Sequence, residues 1–116
     1  MRHRKNKKTL DRKSSPHRAL LRGLAINFIL AEKIKTTEVK AKTVKSLAER
    51  LVTMAKKNDL SSRRKILSYL NNQTATKKLL ETLGPRYNSR PGGYTRVVKL
   101  KQRKGDAAKV AVLEFI

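Results

Sequence analysis

The chain of 116 residues carries 30 lysines and arginines against 8 aspartates and glutamates, a formal net charge of +22. Its length corresponds to one ordinary domain, and the absence of cysteine excludes disulfides, thiolate zinc sites and cysteine nucleophiles. A compact domain with so much like charge repels itself, so the composition predicts a polyanionic partner, and a pI of about 11.1 is typical of nucleic-acid binding.

The hydropathy pattern argues against a membrane protein. The longest apolar stretch, residues 24–31, is interrupted by Asn27 and is too short to span a bilayer. Aromatic residues make up only 4% of the chain, so phosphate contact is favoured over stacking on single-stranded bases. The basic start followed by an amphipathic helix leaves a mitochondrial targeting segment as a weaker alternative.

Cations dominate residues 1–14, where Asp11 is the only acid. A segment with so little apolar surface cannot bury a core of its own. We therefore predict that residues 1–14 form an extended basic arm, which orders on a polyanion, and that residues 15–116 form a single domain. The alternative is a solvated tail without a function.

A first helix is predicted to begin at Ser15, which can cap it, with Pro16 at the first helical position. Apolar residues then recur at helical spacing as far as Ile29. Arg18 and Arg22 lie near the start of this helix, where cations oppose the helix dipole and a bound anion would stabilise them. They are either an anion site or simply two arginines exposed on a polar face.

Residues 33–37 predict a short strand or an extended connector, and a second helix follows over residues 38–57. Its apolar stripe consists of Val44, Leu47, Ala48, Leu51, Val52 and Ala55. A third helix, over residues 60–70, is predicted to be capped by Asp59. Its inward residues are Ile66, Leu67 and Leu70, and its outward cations are Arg63, Arg64 and Lys65.

A fourth, short helix is predicted to open at Thr74 and to end at Gly84 and Pro85, since glycine followed by proline is typical of a helix end. The loop that follows contains the adjacent residues Gly92 and Gly93. This pair lacks the helix and the Lys-Ser/Thr of a nucleotide-binding loop. It is either a flexible turn or a place where the backbone approaches RNA closely.

Two strands joined by a glycine-containing turn are predicted to complete the chain. The first covers residues 94–103, with Val98 and Leu100 on the side opposite to Val97. The second covers residues 109–116. Together the elements predict an α+β fold, in which about four helices pack with a small mixed three-stranded sheet, plus the extended basic N-terminal arm.

No catalytic or metal site is predicted. The eight acids are scattered, and most suit helix caps, helix dipoles or a turn, so no two are spaced for acid–base catalysis. His3 and His17, far apart in a chain without cysteine, make a poor metal site. We therefore expect no enzymatic activity, no cofactor and no small-molecule substrate.

Several strings together resemble one family. They are MRHRK at the start, Ser14 and Ser15 with Arg18 and Arg22 after them, IKTT followed by KAK, LGPRY, RPGGYTR and RKGD. In this order and at this spacing, the chain resembles the bacterial large-subunit ribosomal protein seventeen family over its whole length. Pro16 departs from the pattern, because members of the family often place a basic residue directly after the serine pair.

The resemblance implies an α+β domain with a structural role in the large ribosomal subunit, in the cytoplasm. It implies binding to large-subunit ribosomal RNA on the solvent side, near the exit of the peptide tunnel, with the basic arm between RNA helices. The implied partners are this RNA and neighbouring large-subunit proteins, protein thirty-two first among them, and no membrane.

The charge distribution and the resemblance together predict the RNA-binding residues. The cations are concentrated in the arm, at the start of the first helix, in the third helix, around the loop before the final hairpin and in that hairpin. The predicted contacts are Arg2, His3, Arg4, Lys5, Lys7, Lys8, Arg12, Lys13, Ser14, Ser15, His17, Arg18, Arg22, Lys35, Lys40, Lys42, Arg63, Arg64, Arg86, Tyr87, Arg90, Gly92, Gly93, Tyr94, Arg96, Lys99, Lys101, Arg103 and Lys104.

On charge alone, the mechanism is neutralisation of phosphates with release of counterions. If roughly 10 cations reach phosphates, log K falls with log salt at a slope of about −7 to −9. The alternative function is a DNA-compacting architectural protein, although neither a minor-groove wedge nor a dimer surface is recognisable. A membrane-active cationic peptide is a third interpretation, disfavoured because the helix stripes fit a shared core.

Overall fold

Residues 14–116 are described by a computed structural model, in which they form four helical segments and a three-stranded sheet. The α+β class predicted from the sequence is confirmed. The predicted arm lies outside the described residues, except for Ser14, which begins the first helix. The elements are α1 (Ser14–Ala31), β1 (Lys33–Thr37), α2 (Glu38–Lys57), α3 (Leu60–Leu70), α4 (Gln73–Lys78), a π-helical turn (Leu79–Leu83), α5 (Gly84–Arg86), β2 (Thr95–Lys99) and β3 (Val110–Phe115).

The first helix packs its apolar stripe inward and ends where the chain turns into β1. Phe28 and Ile29 are fully buried, as their spacing predicts. Glu32 takes a left-handed conformation with a φ of 64°, and its N–H donates to the carbonyl of Phe28, which ends the helix. The chain then enters β1, so the predicted short strand is confirmed. The helix begins at Ser14, two residues before Pro16, the predicted first helical position.

The second helix is the central element of the fold, and it has the predicted bounds, residues 38–57. Its N-terminal half, which includes Val44, packs against the sheet. Its C-terminal half, which includes Leu51, packs against the other helices. Within the predicted apolar stripe, only Leu47 is partly exposed. One amphipathic helix therefore supports both layers of the molecule.

The third helix begins as predicted but buries a narrower stripe. Asp59 caps it, because a carboxylate oxygen of Asp59 accepts a hydrogen bond from the N–H of Ser62 at 2.7 Å. Ile66 and Leu70, one helical turn apart, are fully buried. Leu67 was predicted to point inward but is 37% exposed, because it lies about 100° around the helix from Ile66.

The helix α4 begins slightly earlier than its predicted start at Thr74. The side-chain oxygen of Asn72 accepts a hydrogen bond from the N–H of Ala75 at 2.9 Å and caps the helix, which begins at Gln73, one residue earlier than expected. Asparagine is a more effective cap than threonine. Asn71, directly before it, ends α3 in the left-handed conformation with a φ of 52°. Two adjacent asparagines thus end one helix and begin the next.

The predicted helix end at Gly84 and Pro85 is wrong. The helical path continues from α4 through the π-helical turn into α5. Gly84 has a right-handed helical conformation, and its N–H donates to the carbonyl of Leu79, five residues earlier. Pro85, which has no N–H to donate, occupies the first turn of α5, where proline is tolerated. The wider turn lets the helix accommodate the proline, and it shortens the predicted loop.

Gly84 permits close packing between α2 and the π-helical turn. The residue is buried, and a β-carbon at its position would lie 3.1 Å from the carbonyl oxygens of both Ala55 and Leu79. Backbone oxygens cannot rotate away as the end of a flexible side chain can. A methyl group at this position therefore requires two helical segments to move apart.

We expect Gly84→Ala to lower the free energy of unfolding by up to about 2 kcal/mol. Overpacking costs ~1–3 kcal/mol, and this outweighs the ~1 kcal/mol that alanine gains over glycine in a helix. Gly23→Ala is the matched control, because Gly23 lies in α1 with no atom within 4 Å of an added β-carbon, and it should stabilise the protein. Urea unfolding measures both, and equal stabilisation by the two substitutions would contradict the close approach at Gly84.

The sequence predicted a mixed sheet, but the sheet is antiparallel throughout. β3 lies between β1 and β2 and is antiparallel to both. β1 and β2 run in the same direction, but β3 separates them, so they form no parallel ladder with each other. The last strand takes the central position because Ala111 and Leu113 are fully buried against the helices.

The register of the hairpin decides which of the two predicted faces of β2 points inward. Val97 pairs with Leu113 and packs against the core, whereas Val98 is 42% exposed. Directly opposite residues share one face of a sheet, so the buried Leu113 places Val97 inward. The strand is also shorter than predicted, because it ends at Lys99 and leaves Leu100 exposed beyond it.

Two apolar clusters form the core. One lies between the helices and includes Leu51 and Leu70, and the other lies between α1, α2 and the sheet and includes Phe28 and Leu113. The rings of Phe28 and Phe115 stack with their centroids 4.2 Å apart, and Phe115 packs against both clusters. This core fixes the relative positions of the helices. Within residues 14–116, no helix is long and apolar enough to cross a membrane.

Candidate nucleic-acid interface

Most acidic side chains of the described residues already pair with cations. The paired acids are Glu32, Glu38, Glu49, Asp106 and Glu114. These pairs lie on the sheet, along α2, in the final turn and at the end of α1. In the same part of the chain, no group of three or more potential ligands is placed to hold a metal ion. Unneutralised positive charge therefore lies elsewhere on the surface.

An open groove of about 670 Å³ runs between α1 and α3, and we call it the α1/α3 groove. Its lining consists of Arg18, Ala19, Arg22, Arg64, Lys65, Ser68 and Tyr69. None of its cations forms an ion pair within residues 14–116. The groove joins two predicted patches that lie more than one helix apart in the sequence.

Helical periodicity and the core together create this groove. Arg18 and Arg22 are four residues apart, so both lie on the same face of α1. The first turn of α1 contains no acid that could pair with them. Ile66 and Leu70 anchor the opposite face of α3 in the core, which directs the polar face of α3 toward the side of Arg18 and Arg22.

Tyr69 is half-buried at the groove and its hydroxyl forms no hydrogen bond with another described residue. Burial raises the pKa of the Tyr69 phenol, while the nearby charges of Arg22 and Arg50 act in the opposite direction. Tyr69, Ser68 and Lys65 were not among the contacts predicted from the sequence. Helical spacing in the sequence could have identified them, since Ser68 and Tyr69 follow Arg64 and Lys65 by one helical turn and therefore lie on the same face of α3.

A second basic depression, of about 510 Å³, lies where the final hairpin extends beyond β2, and we call it the hairpin surface. Lys35, Lys101, Arg103 and Lys104 line it, as the sequence places cations in this hairpin. Arg103 pairs with Asp106, and the hydrogen bond from Arg103 lowers the pKa of Asp106 to about 2. The three lysines form no ion pair within the described residues.

Two predicted contacts, Tyr87 and Tyr94, belong to the core. They are 4% and 1% exposed, so neither ring offers a face to nucleic acid. The Tyr87 hydroxyl donates to the carbonyl of Ile116 at 2.7 Å. The Lys56 ammonium donates to the Tyr94 hydroxyl at 3.0 Å and to the carbonyl of Arg90. The aromatic residues thus hold the loop in place, while Arg90 itself is exposed.

Several other predicted contacts are cations that share their charge with an acid. Lys42 and Lys99 both pair with Glu38. Arg96 pairs with one glutamate of β3, and Arg86 with the glutamate that ends α1. These side chains present less free charge to a polyanion than the cations of the α1/α3 groove do.

The remaining predicted residues fall outside both basic depressions. Arg63 and Lys40 line neither the α1/α3 groove nor the hairpin surface. Gly93 is exposed and has a φ of 64°, a conformation that glycine adopts without strain. Nδ1 of His17 is buried and has no hydrogen-bond partner among the described residues. The predicted contacts of residues 1–13 lie outside the described part of the chain.

Glu49 has a structural role that connects α2 to β2. Its carboxylate accepts from the Thr95 hydroxyl at 2.7 Å, from the Thr95 N–H at 3.3 Å and from Lys45 at 3.2 Å. Burial acts to raise the pKa of Glu49, but the hydrogen bonds from Thr95 and Lys45 together lower it below its usual value. The charged carboxylate therefore holds the start of β2 against α2.

Comparison with known proteins gives a consistent result. A family model described as "Ribosomal protein L17" matches residues 20–116. The chain is 50% identical over 109 residues to the large ribosomal subunit protein bL17 of Natranaerobius thermophilus, covering 94% of this chain and 96% of that protein. It is 49% identical over 117 residues to bL17 of a Hydrogenobaculum species, covering 100% of this chain and 99% of that protein.

Proposed function

Since the chain belongs to the ribosomal protein L17 family, we propose that it is a structural constituent of the large ribosomal subunit and binds large-subunit ribosomal RNA. The observation that carries the RNA-binding part is the α1/α3 groove. Four cations meet there without a paired acid among the described residues. A closely spaced group of cations of this kind is stabilised by a polyanion.

Binding then proceeds by neutralisation of backbone phosphates and release of their counterions. If roughly 10 cations take part, the logarithm of the binding constant falls with the logarithm of the salt concentration at a slope of about −7 to −9. The α1/α3 groove, the hairpin surface and the predicted arm supply this charge at separate places. The folded core keeps the first two at fixed positions, so the protein fits a folded RNA by shape.

We also propose a finer placement within the subunit. The resemblance of the sequence motifs to the family supports a position near the exit of the peptide tunnel, with protein thirty-two as a neighbour. Chemical crosslinking within isolated large subunits tests this placement. Crosslinks to protein thirty-two and to RNA near the tunnel exit are expected, and crosslinks only to proteins of another region would contradict it.

Sedimentation of a cell lysate tests the main proposal. In a sucrose gradient at low Mg²⁺, the protein is expected to migrate with the large subunit and to stay with it after treatment with deoxyribonuclease. Release into the top fractions by ribonuclease is also expected. Migration with nucleoid DNA, and absence from the subunit fractions, would instead support a DNA-compacting architectural protein.

A further inference from the structure

We propose that the α1/α3 groove binds one continuous stretch of RNA backbone, and that Ser68 and Tyr69 contact its 2′-hydroxyl groups. This inference rests on the proposed RNA binding and adds the location and the chemistry that select RNA. The cations come from both walls, Arg18 and Arg22 from α1 and Arg64 from α3. A backbone lying between the helices is therefore contacted from two sides.

The distribution of ion pairs favours this groove over other basic surfaces. The cations of the sheet, such as Arg96, are partly neutralised by a neighbouring acid. In the groove, the described residues supply no acid, and the first turn of α1 has none either.

The chemistry of the lining points to phosphodiesters. Arg18, Arg22 and Arg64 carry planar guanidinium groups, which bind two phosphate oxygens at once, and Lys65 adds a point charge. The small side chain of Ala19 leaves space for a ligand on the α1 side of the groove, beside Arg18 and Arg22. Tyr69 supplies too little exposed ring for base stacking, so the groove is suited to the backbone of a nucleic acid.

Cations alone do not separate RNA from DNA, but hydroxyl groups can. The 2′-hydroxyl donates and accepts hydrogen bonds, and it is the group by which proteins distinguish RNA at a given site. Ser68 is exposed at the groove, and the Tyr69 hydroxyl has no partner among residues 14–116. A half-buried phenol beside Arg22 is therefore available to a ribose that follows a bound phosphate.

The charge part of the proposal is tested with Arg22→Gln/Arg64→Gln in the full-length protein. Lys57→Gln/Lys77→Gln is the matched control, since both lysines are exposed, lie outside the groove and form no ion pair in the described part of the chain. Both variants lose two positive charges. Binding to transcribed large-subunit ribosomal RNA is measured at several salt concentrations, and unfolding curves establish that both variants fold.

The groove variant is expected to lose at least about tenfold in affinity, because each removed arginine takes away a charge-assisted hydrogen bond. Its salt slope should become shallower by about 1.4–1.8, which corresponds to two fewer phosphate contacts. In the control variant, the change in binding free energy and the change in salt slope should each be less than half as large. Equal losses in the two variants would mean that only net charge matters, and this would overturn the assignment of the groove.

The hydroxyl part is tested with Ser68→Ala/Tyr69→Phe, which keeps charge and nearly all of the volume. The measured quantity is the ratio of affinities for a short oligouridylate and its 2′-deoxy counterpart. This ratio should fall by about fivefold or more in the variant, given a net contribution of about 1 kcal/mol for each hydrogen bond. An unchanged ratio would overturn the 2′-hydroxyl contact, because a loss of packing alone weakens both ligands equally.

The same variants separate this inference from the proposed function. If the wild-type protein sediments with the large subunit and the groove variant binds RNA as tightly as the control, the groove assignment fails and the ribosomal role stands. If the wild-type protein is absent from the subunit, the proposed function fails. In that case a selective loss of RNA affinity in the groove variant would still support the groove as an RNA site.

Discussion

Leu51→Ala is expected to lower the free energy of unfolding by about 2–5 kcal/mol, the usual cost of truncating a buried leucine. Leu51 is 1% exposed and lies in the cluster between the helices. Its removal leaves a cavity beside the C-terminal half of α2, and α2 supports both the helical layer and the sheet. The substitution should therefore weaken the whole domain rather than one element.

Leu47→Ala provides a control on the same helix. Leu47 was predicted to belong to the same apolar stripe, but it is only partly buried, so its truncation should cost less than half as much as that of Leu51. Both substitutions replace leucine by alanine within α2, so the change in intrinsic helix propensity is the same for the two variants. Denaturant unfolding measures the difference, and equal costs would show that burial does not determine the contribution of these two leucines.

The helices could be predicted well because their signals are local. The spacing of apolar residues placed α2 within its observed bounds. Asp59 was identifiable as a cap from its position before an apolar run, and it forms the predicted hydrogen bond. The error at Leu67 has a physical origin, because a hydrophobic residue beside a buried stripe can remain exposed without a large cost.

The errors in the fourth helix and in the sheet depend on contacts between distant segments. Gly84 and Pro85 have the local character of a helix end, but α2 approaches Gly84 so closely that glycine is needed for packing. The antiparallel sheet follows from β3 lying between β1 and β2, and strand order is not encoded in any single strand. Val97 and Val98 are adjacent and similar, so only pairing with Leu113 decides which one faces inward.

The candidate interface was predictable as a set of residues but not as a surface. Charge and the family resemblance together selected Arg18, Arg22 and Arg64, yet the sequence separates α1 from α3 by an entire strand and helix. The same reasoning selected Arg96, which the structure pairs with Glu114. Tyr94 was selected from its place in a family motif, and its burial indicates that the motif serves the fold at this position. How strongly a cation attracts a polyanion therefore depends on whether an acidic side chain lies beside it in the folded protein.

Deleting residues 1–13 is expected to leave the domain folded and to weaken RNA binding steeply. Among residues 14–116 the side chains of the two core clusters pack against one another, and the sequence of the deleted segment contains only two apolar residues, Met1 and Leu10. The segment contains 7 of the 30 lysines and arginines. If all seven contact phosphates, the deletion makes the salt slope shallower by about 5–6, and affinity at low salt falls by several orders of magnitude.

A full-length variant with these seven cations replaced by glutamine separates charge from chain length. It should bind RNA as weakly as the deletion if the arm acts through phosphates, and more tightly if the backbone of the arm also contacts RNA. Cooperative urea unfolding with an unchanged midpoint is expected for both variants. A deletion that abolished cooperative unfolding would refute the proposed domain boundary, whereas a folded deletion variant with the wild-type salt slope would refute the contact between the arm and RNA. The two measurements thus test the fold and the function of the arm independently.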